Sequence, residues 1–306
     1  MLVSESGQAQ WVSHINAYLM PMQDIFIGSR SQSLCDVPSI GIGNQPIDDG
    51  NYLFTYEEMQ EFIAQEPASA AYFRPWYGAQ EFLYNKPRYC LWLGDCSPAQ
   101  LRAMPHCLKR VEAVRQFRLA SKRSSTLKLA DTPTRFQVEN MPKGNSLLLP
   151  EVTSEKRQYM PIGFMYPGTL CSNKIRLMPE ASLYHFGVLT SWVHMAWLRA
   201  ICCGLGTSYS YSINLVYNNF PWPEADASAV AAISETAQAI LDARAAYPDS
   251  SLADLYDDTL MPPALRRAHR NNDRAVLRAY GFPTTDSFTE SDCVARLFQL
   301  YADWGK

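Results

Sequence analysis

The spacing of hydrophobic and polar residues changes several times along the chain. In the first 51 residues, short apolar runs alternate with Gly, Pro, Asp and Ser, which predicts short strands joined by long loops. A helix is predicted at Tyr56–Gln65, because Thr55 and Glu58 have the spacing of a reciprocal N-terminal cap. Apolar runs bounded by Pro and Gly predict further strands at Tyr89–Leu93, Ser146–Leu149 and Tyr159–Phe164.

Two longer segments have helical periodicity. The first, about Pro105–Ser124, has two faces of different character. The apolar face is predicted to contain Leu108, Val111, Val114 and Phe117, and the basic face Lys109, Arg115, Arg118 and Lys122. The second segment, about Ser182–Cys203, is apolar on nearly all sides, which predicts the central helix of the core. We interpret its histidines, His185 and His194, as core residues rather than catalytic groups.

The composition changes abruptly after Pro223. The stretch 224–260 contains eight acidic residues and one basic residue, Arg244, so its net charge is −7. Segments with helical spacing, separated by prolines, predict three helices at Ser228–Ala246, Pro263–Tyr280 and Glu290–Trp304. We therefore predict a mixed α/β domain of the α+β class at 1–222, followed by a small all-α domain at 223–306.

Composition and charge narrow the class of protein. The 306 residues are 47% hydrophobic and 19% charged, with a net charge of −3. These values are typical of a folded chain and exclude a protein that is basic throughout and wraps nucleic acid. The N-terminus has no positively charged leader, and His and Arg interrupt the most apolar stretch, 183–205. We expect a cytoplasmic protein without a membrane partner.

The cysteines argue against a metal centre. Eight cysteines occur without a C-x-x-C pair, which favours free thiols in a reducing compartment. A zinc site formed by Cys90, Cys96, His106 and Cys107 is the alternative, but its spacing matches no zinc finger or ribbon. We predict no metal site.

The sequence lacks the catalytic motifs of DNA-modifying enzymes. An adenine methyltransferase of the common kind holds its flipped base with an Asx-Pro-Pro-aromatic loop, whereas the one Pro-Pro pair here, Pro262–Pro263, is followed by Ala264. None of the eight lysines has an acidic residue two positions before it, as a common nuclease site requires. The P-loop, HExxH and GxSxG motifs are also absent. We predict no catalytic residue in this chain.

Two segments have chemistry that suits nucleic-acid binding. Between Arg102 and Arg135, nine Lys or Arg residues stand against two acidic residues, which gives a local net charge of +7. The run Gly204–Asn214 combines small and hydrogen-bonding side chains that can reach base edges in a groove. The alternatives are a solvated helix face that balances the acidic tail, and a surface loop that returns to a strand.

A resemblance to a known family rests on five segments. They are Arg110–Arg123 (RVEAVRQFRLASKR), Tyr159–Pro167 (YMPIGFMYP), Leu183–Cys202 (LYHFGVLTSWVHMAWLRAIC), Tyr211–Pro223 (YSINLVYNNFPWP) and Pro248–His269 (PDSSLADLYDDTLMPPALRRAH). These segments resemble the C-terminal portion of the MmeI-like type II restriction-modification proteins, which are adenine-specific DNA methyltransferases. The resemblance covers about residues 15–282. It implies a target-recognition domain up to about residue 222 and a helical C-terminal domain after it.

The same resemblance implies where the chemistry and the DNA contacts lie. S-adenosylmethionine and Mg²⁺ are expected in family domains that this chain does not resemble, so the chain needs no cofactor of its own. The base-reading positions of the family correspond to Glu151, Asn173, Lys174, Gly206, Ser208 and Ser210. Relatives often have an oppositely charged pair at the places of Gly206 and Ser208, and this chain has neither charge. Phosphate contacts are predicted from the basic region at Arg110, Arg115, Arg118, Lys122, Arg123 and Lys128.

Two hypotheses from different classes follow. The first is a non-catalytic module that recognises a duplex DNA sequence for an adenine-methylating restriction-modification enzyme, with double-stranded DNA and the methyltransferase domain of the same enzyme as partners. The alternative is a protein-interaction or assembly module that does not bind DNA. Salt-dependent binding to random duplex DNA favours the first hypothesis.

Overall fold

The structure of the protein is a computed structural model that describes residues 2–3, 9–12, 14–16 and 24–304. The sequence predictions for residues 1, 4–8, 13, 17–23 and 305–306 lie outside the described residues. The strands of the described part are β1 (Leu2–Val3), β2 (Ala9–Gln10), β3 (Gly41–Ile42), β4 (Leu53–Phe54), β5 (Phe73–Tyr77), β6 (Arg88–Leu91), β7 (Ser146–Pro150), β8 (Val152–Ser154), β9 (Gly163–Met165), β10 (Leu170–Cys171), β11 (Ile175–Pro179), β12 (Cys203–Leu205) and β13 (Ser208–Ser210).

The helices of the described part fall into two groups along the chain. Those before residue 224 are α1 (Tyr56–Gln65), α2 (Ala79–Leu83), α3 (Pro98–Arg102), α4 (Pro105–Leu119), α5 (Ser124–Lys128), α6 (Leu183–Leu189) and α7 (Trp192–Ile201). Those after it are α8 (Ala227–Ala245), α9 (Leu252–Leu255), α10 (Pro263–Ala279) and α11 (Glu290–Trp304). The predicted α+β class with a helical C-terminal part is confirmed.

The strands pair into small, mainly antiparallel sheets. One four-stranded sheet has the order β10-β5-β6-β4, in which only the pairing of β10 with β5 is parallel. A second has the order β3-β11-β7-β9, and a three-stranded sheet has the order β12-β13-β8. The prediction of a strand at Tyr159–Phe164 is wrong over most of its length, because β9 begins at Gly163. Tyr159 is instead buried against α10, where its ring stacks on His269 with centroids 4.1 Å apart.

The predicted first helix is confirmed with its cap. The Thr55 hydroxyl accepts a hydrogen bond from the Glu58 backbone N–H, and the Glu58 carboxylate accepts one from the Thr55 N–H. The buried side chains Met59 and Phe62 then face a cluster of aromatic rings, in which Phe54, Phe62 and Phe73 pack edge to face. This cluster is the core of the N-terminal half.

The second predicted helix differs from its expected faces. Helix α4 ends at Leu119, and Leu108 and Phe117 of the predicted apolar face are 42% and 39% exposed. Its buried residues are Cys107, Val111, Val114 and Arg118. The helix is therefore rotated from the predicted orientation because Arg118, rather than Phe117, points into the protein.

The predicted central helix at Ser182–Cys203 is wrong in its continuity. It is divided into α6 and α7 at Thr190 and Ser191. The Ser191 hydroxyl donates to the Val188 carbonyl and accepts from the His194 N–H, which ends one helix and begins the next. Both halves are buried, so the predicted core position is correct.

The three predicted C-terminal helices are confirmed within one residue at their ends. They share a hydrophobic cluster with α6 and α7, so the core is continuous across residue 223. Gly187 of α6 lies at the closest approach, where an added β-carbon would be 2.6 Å from Ile233 Cγ2 of α8. The amide nitrogen of Asn272 on α10 donates to the Gly187 carbonyl at 2.8 Å.

No helix among the described residues is long and apolar enough to span a membrane.

Candidate nucleic-acid interface

Two adjacent strand ends bring Glu151 and Lys174 together. Glu151 directly follows β7 and Lys174 directly precedes β11, and these strands pair so that Pro150 lies opposite Ile175. The Glu151 backbone N–H extends the ladder by donating to the Lys174 carbonyl at 3.0 Å. The Lys174 ammonium lies 3.2 Å from one carboxylate oxygen of Glu151, and its side chain is 66% exposed. A carboxylate and an ammonium group thus lie side by side.

Arg176 orients this pair, and the sequence predictions did not include it. One guanidinium nitrogen lies 3.0 Å from the second carboxylate oxygen of Glu151, and two others donate to the carbonyls of Tyr211 and Asn173, each at 3.2 Å. Its side chain is only 11% exposed, so these contacts exclude most water. The available signal was a lone arginine in the otherwise apolar strand Ile175–Pro179.

The segment that contains Asn173 is held in place by Asn44, which follows strand β3. The Asn173 N–H donates to the Asn44 carbonyl at 2.9 Å. The buried Asn44 side chain donates to the carbonyls of Cys171 and Asn140, both at 3.1 Å, and accepts from the Asn140 N–H. Asn173 and Lys174 are therefore held on an ordered turn rather than on a long loop.

The three remaining predicted base-reading residues lie on the neighbouring hairpin. In β13, Ser208 pairs with Ser154 and Ser210 with Val152 of β8, and Tyr211 donates its N–H to the Glu151 carbonyl at 2.7 Å. Ser208 and Ser210 are two residues apart and so point to the same side of the strand. Gly206 lies in the turn between β12 and β13 with φ +59°.

These pairings place all six predicted residues along one continuous edge. The Glu151 end of β7 adjoins Ser210, and the hairpin then leads through Ser208 to Gly206 at its tip. A β-carbon on Gly206 would meet no atom within 4 Å, so the tip is open. The Lys174 ammonium on this edge is exposed, whereas the Glu151 carboxylate is 23% exposed and its two oxygens contact Lys174 and Arg176.

Most of the predicted phosphate-binding residues are accessible. The side chains of Arg115, Lys122, Arg123 and Lys128 are exposed on α4, α5 and the turn between them. Arg115 has a weak contact with Glu112, with 3.7 Å between nitrogen and oxygen. Arg110 is half-buried, and its guanidinium lies 4.9 Å from the centroid of the Phe54 ring.

The prediction that Arg118 binds phosphate is wrong. Arg118 is fully buried, and burial lowers the pKa of its guanidinium. All three of its nitrogens donate to backbone carbonyls, which belong to Pro46, Ile47, Leu129, Thr132 and Arg135 at 2.8–3.1 Å. A side chain with every nitrogen bonded inside the protein has no donor left for DNA.

Arg118 instead connects the basic helix to the predicted base-reading edge. It holds the carbonyls of Pro46 and Ile47, while Asn44, three residues earlier than Ile47, accepts the bond from Asn173. Three residues span at most about 11 Å. Arg118 therefore links α4 to the segment whose Asn44 supports Asn173.

Two histidines and two cysteines of the described part of the chain are buried or form part of a helix cap. His194 is fully buried, burial lowers its pKa to about 3, and its Nε2 lies 3.0 Å from the Tyr211 hydroxyl. His185 is half-buried and accepts from the Ser182 N–H, so it caps a helix. Burial raises the pKa of Cys90 and Cys107 well above the usual range. Among the described residues, no group of three or more His, Cys, Asp or Glu side chains is arranged to hold a metal ion.

Comparison with known proteins confirms the resemblance seen in the sequence. The family description "MmeI, target recognition domain" matches residues 21–224, and "MmeI, C-terminal domain" matches residues 225–306. The protein "DNA methyltransferase A" of Bacillus subtilis (strain 168) is 36% identical over 269 residues, which are 88% of this chain and 30% of that protein. A solved structure of the type IIL restriction-modification enzyme MmeI in complex with DNA has a TM-score of 0.91 and 42% sequence identity, and the match covers 96% of this chain and 39% of that one. This chain therefore belongs to the MmeI family and corresponds to its target recognition and C-terminal domains.

Proposed function

We propose that this chain recognises a specific sequence in double-stranded DNA on behalf of a restriction-modification enzyme that methylates adenine. The observation that supports this most directly is the continuous edge formed by Glu151, Lys174 and the β12–β13 hairpin, on a chain that also has an exposed basic region on α4 and α5. The solved relative is described in complex with DNA, and the curated relative is named a DNA methyltransferase.

The edge residues contact base edges, and the basic region contacts phosphates. A carboxylate such as that of Glu151 accepts from the amino group of cytosine, an ammonium such as that of Lys174 donates to guanine, and an amide such as that of Asn173 suits adenine. The exposed cations Arg115, Lys122, Arg123 and Lys128 bind phosphates, which fixes the register of the duplex but carries no sequence information.

These residues serve DNA recognition rather than catalysis. The sequence holds neither the target-base loop of an adenine methyltransferase nor the common nuclease triplet. The chain matches 30% and 39% of the length of the two relatives. We propose that S-adenosylmethionine and Mg²⁺ bind to other domains of the cytoplasmic enzyme, and that the methyltransferase domain is the protein partner of this chain.

Binding of the 306-residue chain to random duplex DNA across a salt series tests the proposal. We expect the Lys122→Ala/Arg123→Ala variant to lower the salt slope by up to about 2 units, because each lost phosphate contact removes about 0.9. The control is Lys86→Ala/Lys143→Ala, which removes two exposed charges away from the basic region. Absence of salt-dependent binding by the unaltered chain would favour the protein-interaction module and overturn the proposal.

A further inference from the structure

Helix α10 has an exposed row of four arginines that the sequence predictions did not use. Their spacings of three and four residues place all four on one side of the helix. We call this set the arginine row, and it consists of Arg267, Arg270, Arg274 and Arg278. Because an α-helix rises 1.5 Å per residue, the row extends over about 16 Å.

The arginine row forms no ion pair among the described residues, although Arg270 and Arg274 interact electrostatically with the buried Asp273. In the described part of the chain, no carboxylate lies within ion-pairing distance of any of its four members, whereas the adjacent Arg266 lies 3.7 Å from Asp258. The one acid of α10, Asp273, is buried, and its oxygens accept from the Tyr159 hydroxyl at 2.6 Å and the Trp192 N–H at 2.7 Å. The exposed face of α10 is therefore strongly positive.

A short connection joins this helix to the predicted base-reading hairpin. Arg266 donates to the Gln158 side-chain oxygen at 3.0 Å. Gln158 follows Ser154 by four residues, and Ser154 pairs with Ser208 of β13. Four residues span at most about 14 Å, which is less than half of one helical turn of B-DNA, roughly 34 Å. A duplex in contact with the hairpin thus reaches the neighbourhood of α10.

We propose that the arginine row is a second phosphate-binding surface, which contacts the sugar-phosphate backbone of the same duplex whose bases the hairpin reads. This inference rests on the proposed DNA-recognition function. Phosphates follow each other every 3.4 Å of helix axis on one strand, so a 16 Å row offers each arginine a separate phosphate. The planar guanidinium binds phosphate oxygens in a bidentate manner, which favours arginine over lysine for this purpose.

The test compares three variants of the 306-residue chain on random duplex DNA between 50 and 200 mM salt. The first is Arg267→Ala/Arg274→Ala, which leaves Arg270 beside Asp273 and keeps good helix formers on α10. The second is Arg267→Lys/Arg274→Lys, which retains the charge. The third is the control Lys86→Ala/Lys143→Ala, which removes the same charge elsewhere. Circular dichroism and thermal unfolding check that each variant is folded.

We expect the alanine variant to lose up to about 1.8 units of salt slope, which is about 0.9 for each of two phosphate contacts. Between 50 and 200 mM salt, the affinity of the unaltered chain should therefore fall by up to about 12-fold more than the affinity of this variant. The lysine variant should keep the slope, and the control should resemble the unaltered chain. The preferred DNA sequence should be the same in all, since phosphate contacts carry no sequence information.

An unchanged slope and affinity in the alanine variant overturns the inference, and the row then faces a different partner, such as an acidic protein surface. If the Lys122→Ala/Arg123→Ala variant nevertheless loses slope, the proposed function stands without this surface. If the unaltered chain itself shows no salt-dependent binding, both are overturned. A lysine variant that behaves like the alanine variant would contradict a phosphate contact based on charge.

Discussion

The carboxylate of Glu151 is held by the buried guanidinium of Arg176, at 3.0 Å between oxygen and nitrogen. Arg176 is itself fixed by the carbonyls of Asn173 and Tyr211, so one arginine connects β7, β11 and the end of the hairpin strand β13. A residue that points a base-reading acid in one direction matters for specificity even though it does not touch DNA.

We expect Glu151→Ala to change the preference at one base pair by about 1–3 kcal/mol, because one direct contact is lost. Arg176→Lys should relax the same base pair, since lysine cannot hold Glu151 and two carbonyls at once. Selection of bound duplexes from a random pool, followed by sequencing, measures both. Lys143→Ala is the control, because Lys143 lies before β7, at the opposite end of that strand from Glu151. The idea fails if both variants enrich the motif of the unaltered chain.

Arg118 gives a prediction about stability rather than DNA binding. We expect Arg118→Met to lower the free energy of unfolding by about 3 kcal/mol or more, because five backbone carbonyls, four of them in part-buried hydrogen bonds and one in a buried bond, lose a charged donor. Arg115→Ala, at an exposed position one turn away, should change it by less than about 0.5 kcal/mol. Urea unfolding of both variants decides the matter. If Arg118→Met is as stable as Arg115→Ala, Arg118 has no structural role and is again a candidate for DNA binding.

The elements that the sequence predicted well are those with local signals. Helix α1 has a capping box, and α8, α10 and α11 are bounded by prolines or caps within a few residues. The break between α6 and α7 has a local cause, the Ser191 cap, and also a distant one, since Asp273 accepts from the Trp192 N–H at the start of α7 although it lies 81 residues away. No window of sequence contains that contact.

The candidate site was predictable only where the sequence itself carried a signal. The likeness to a family identified residues such as Glu151 and Ser210, and the structure brings them to one edge. A periodic pattern treats every arginine as a surface residue, so it missed the buried roles of Arg118 and Arg176. The arginine row was overlooked because the acidic stretch 224–260 dominated the charge of the C-terminal part.

Gly187 should be essential for the packing of α6 against the C-terminal helices. A β-carbon there would lie 2.6 Å from Ile233 Cγ2 and 3.0 Å from the Asn272 side-chain oxygen. We expect Gly187→Ala to lower the free energy of unfolding by about 1–3 kcal/mol through overpacking, although alanine is the better helix former by about 1 kcal/mol. Gly144→Ala is the control, since its β-carbon would meet nothing closer than 3.7 Å. Thermal or urea unfolding measures the difference, and equal effects at the two positions would contradict this packing argument.

The buried carboxyl of Asp273 should make stability depend on pH. Burial raises its pKa to about 7, whereas an aspartate in an unfolded chain has a pKa of about 3.9. Between these values the folded state keeps a proton that the unfolded state has lost. The stabilisation from this group is therefore complete below about pH 4 and decreases as the pH rises through 7.

The Asp273→Asn variant lacks this titration. We therefore expect the difference in free energy of unfolding, variant minus unaltered chain, to increase by about 2–3 kcal/mol from pH 5 to pH 8. Urea unfolding of both proteins at several pH values measures this difference, in which the contributions of all other groups cancel. Asp286→Asn, at an exposed position, is the matched control. Parallel curves for Asp273→Asn and the unaltered chain would show that Asp273 titrates in its ordinary range.

The hairpin tip offers the most specific test of base recognition. The family resemblance implies an oppositely charged pair where this chain has Gly206 and Ser208, and the space around Gly206 is open. We expect Gly206→Lys/Ser208→Asp, introduced into the enzyme that contains this chain, to supply a donor and an acceptor to one base pair and to change its preference by about 1–3 kcal/mol. The positive φ of residue 206 costs roughly 1–2 kcal/mol for a side chain other than glycine. Gly206→Asn is therefore the control, because asparagine tolerates this backbone conformation and adds no charge. Methylated sites are sequenced from cells that carry each version of the enzyme. A preference that changes at one base pair in the double variant alone supports base reading. If all versions methylate the original motif, Gly206 and Ser208 are not part of the site.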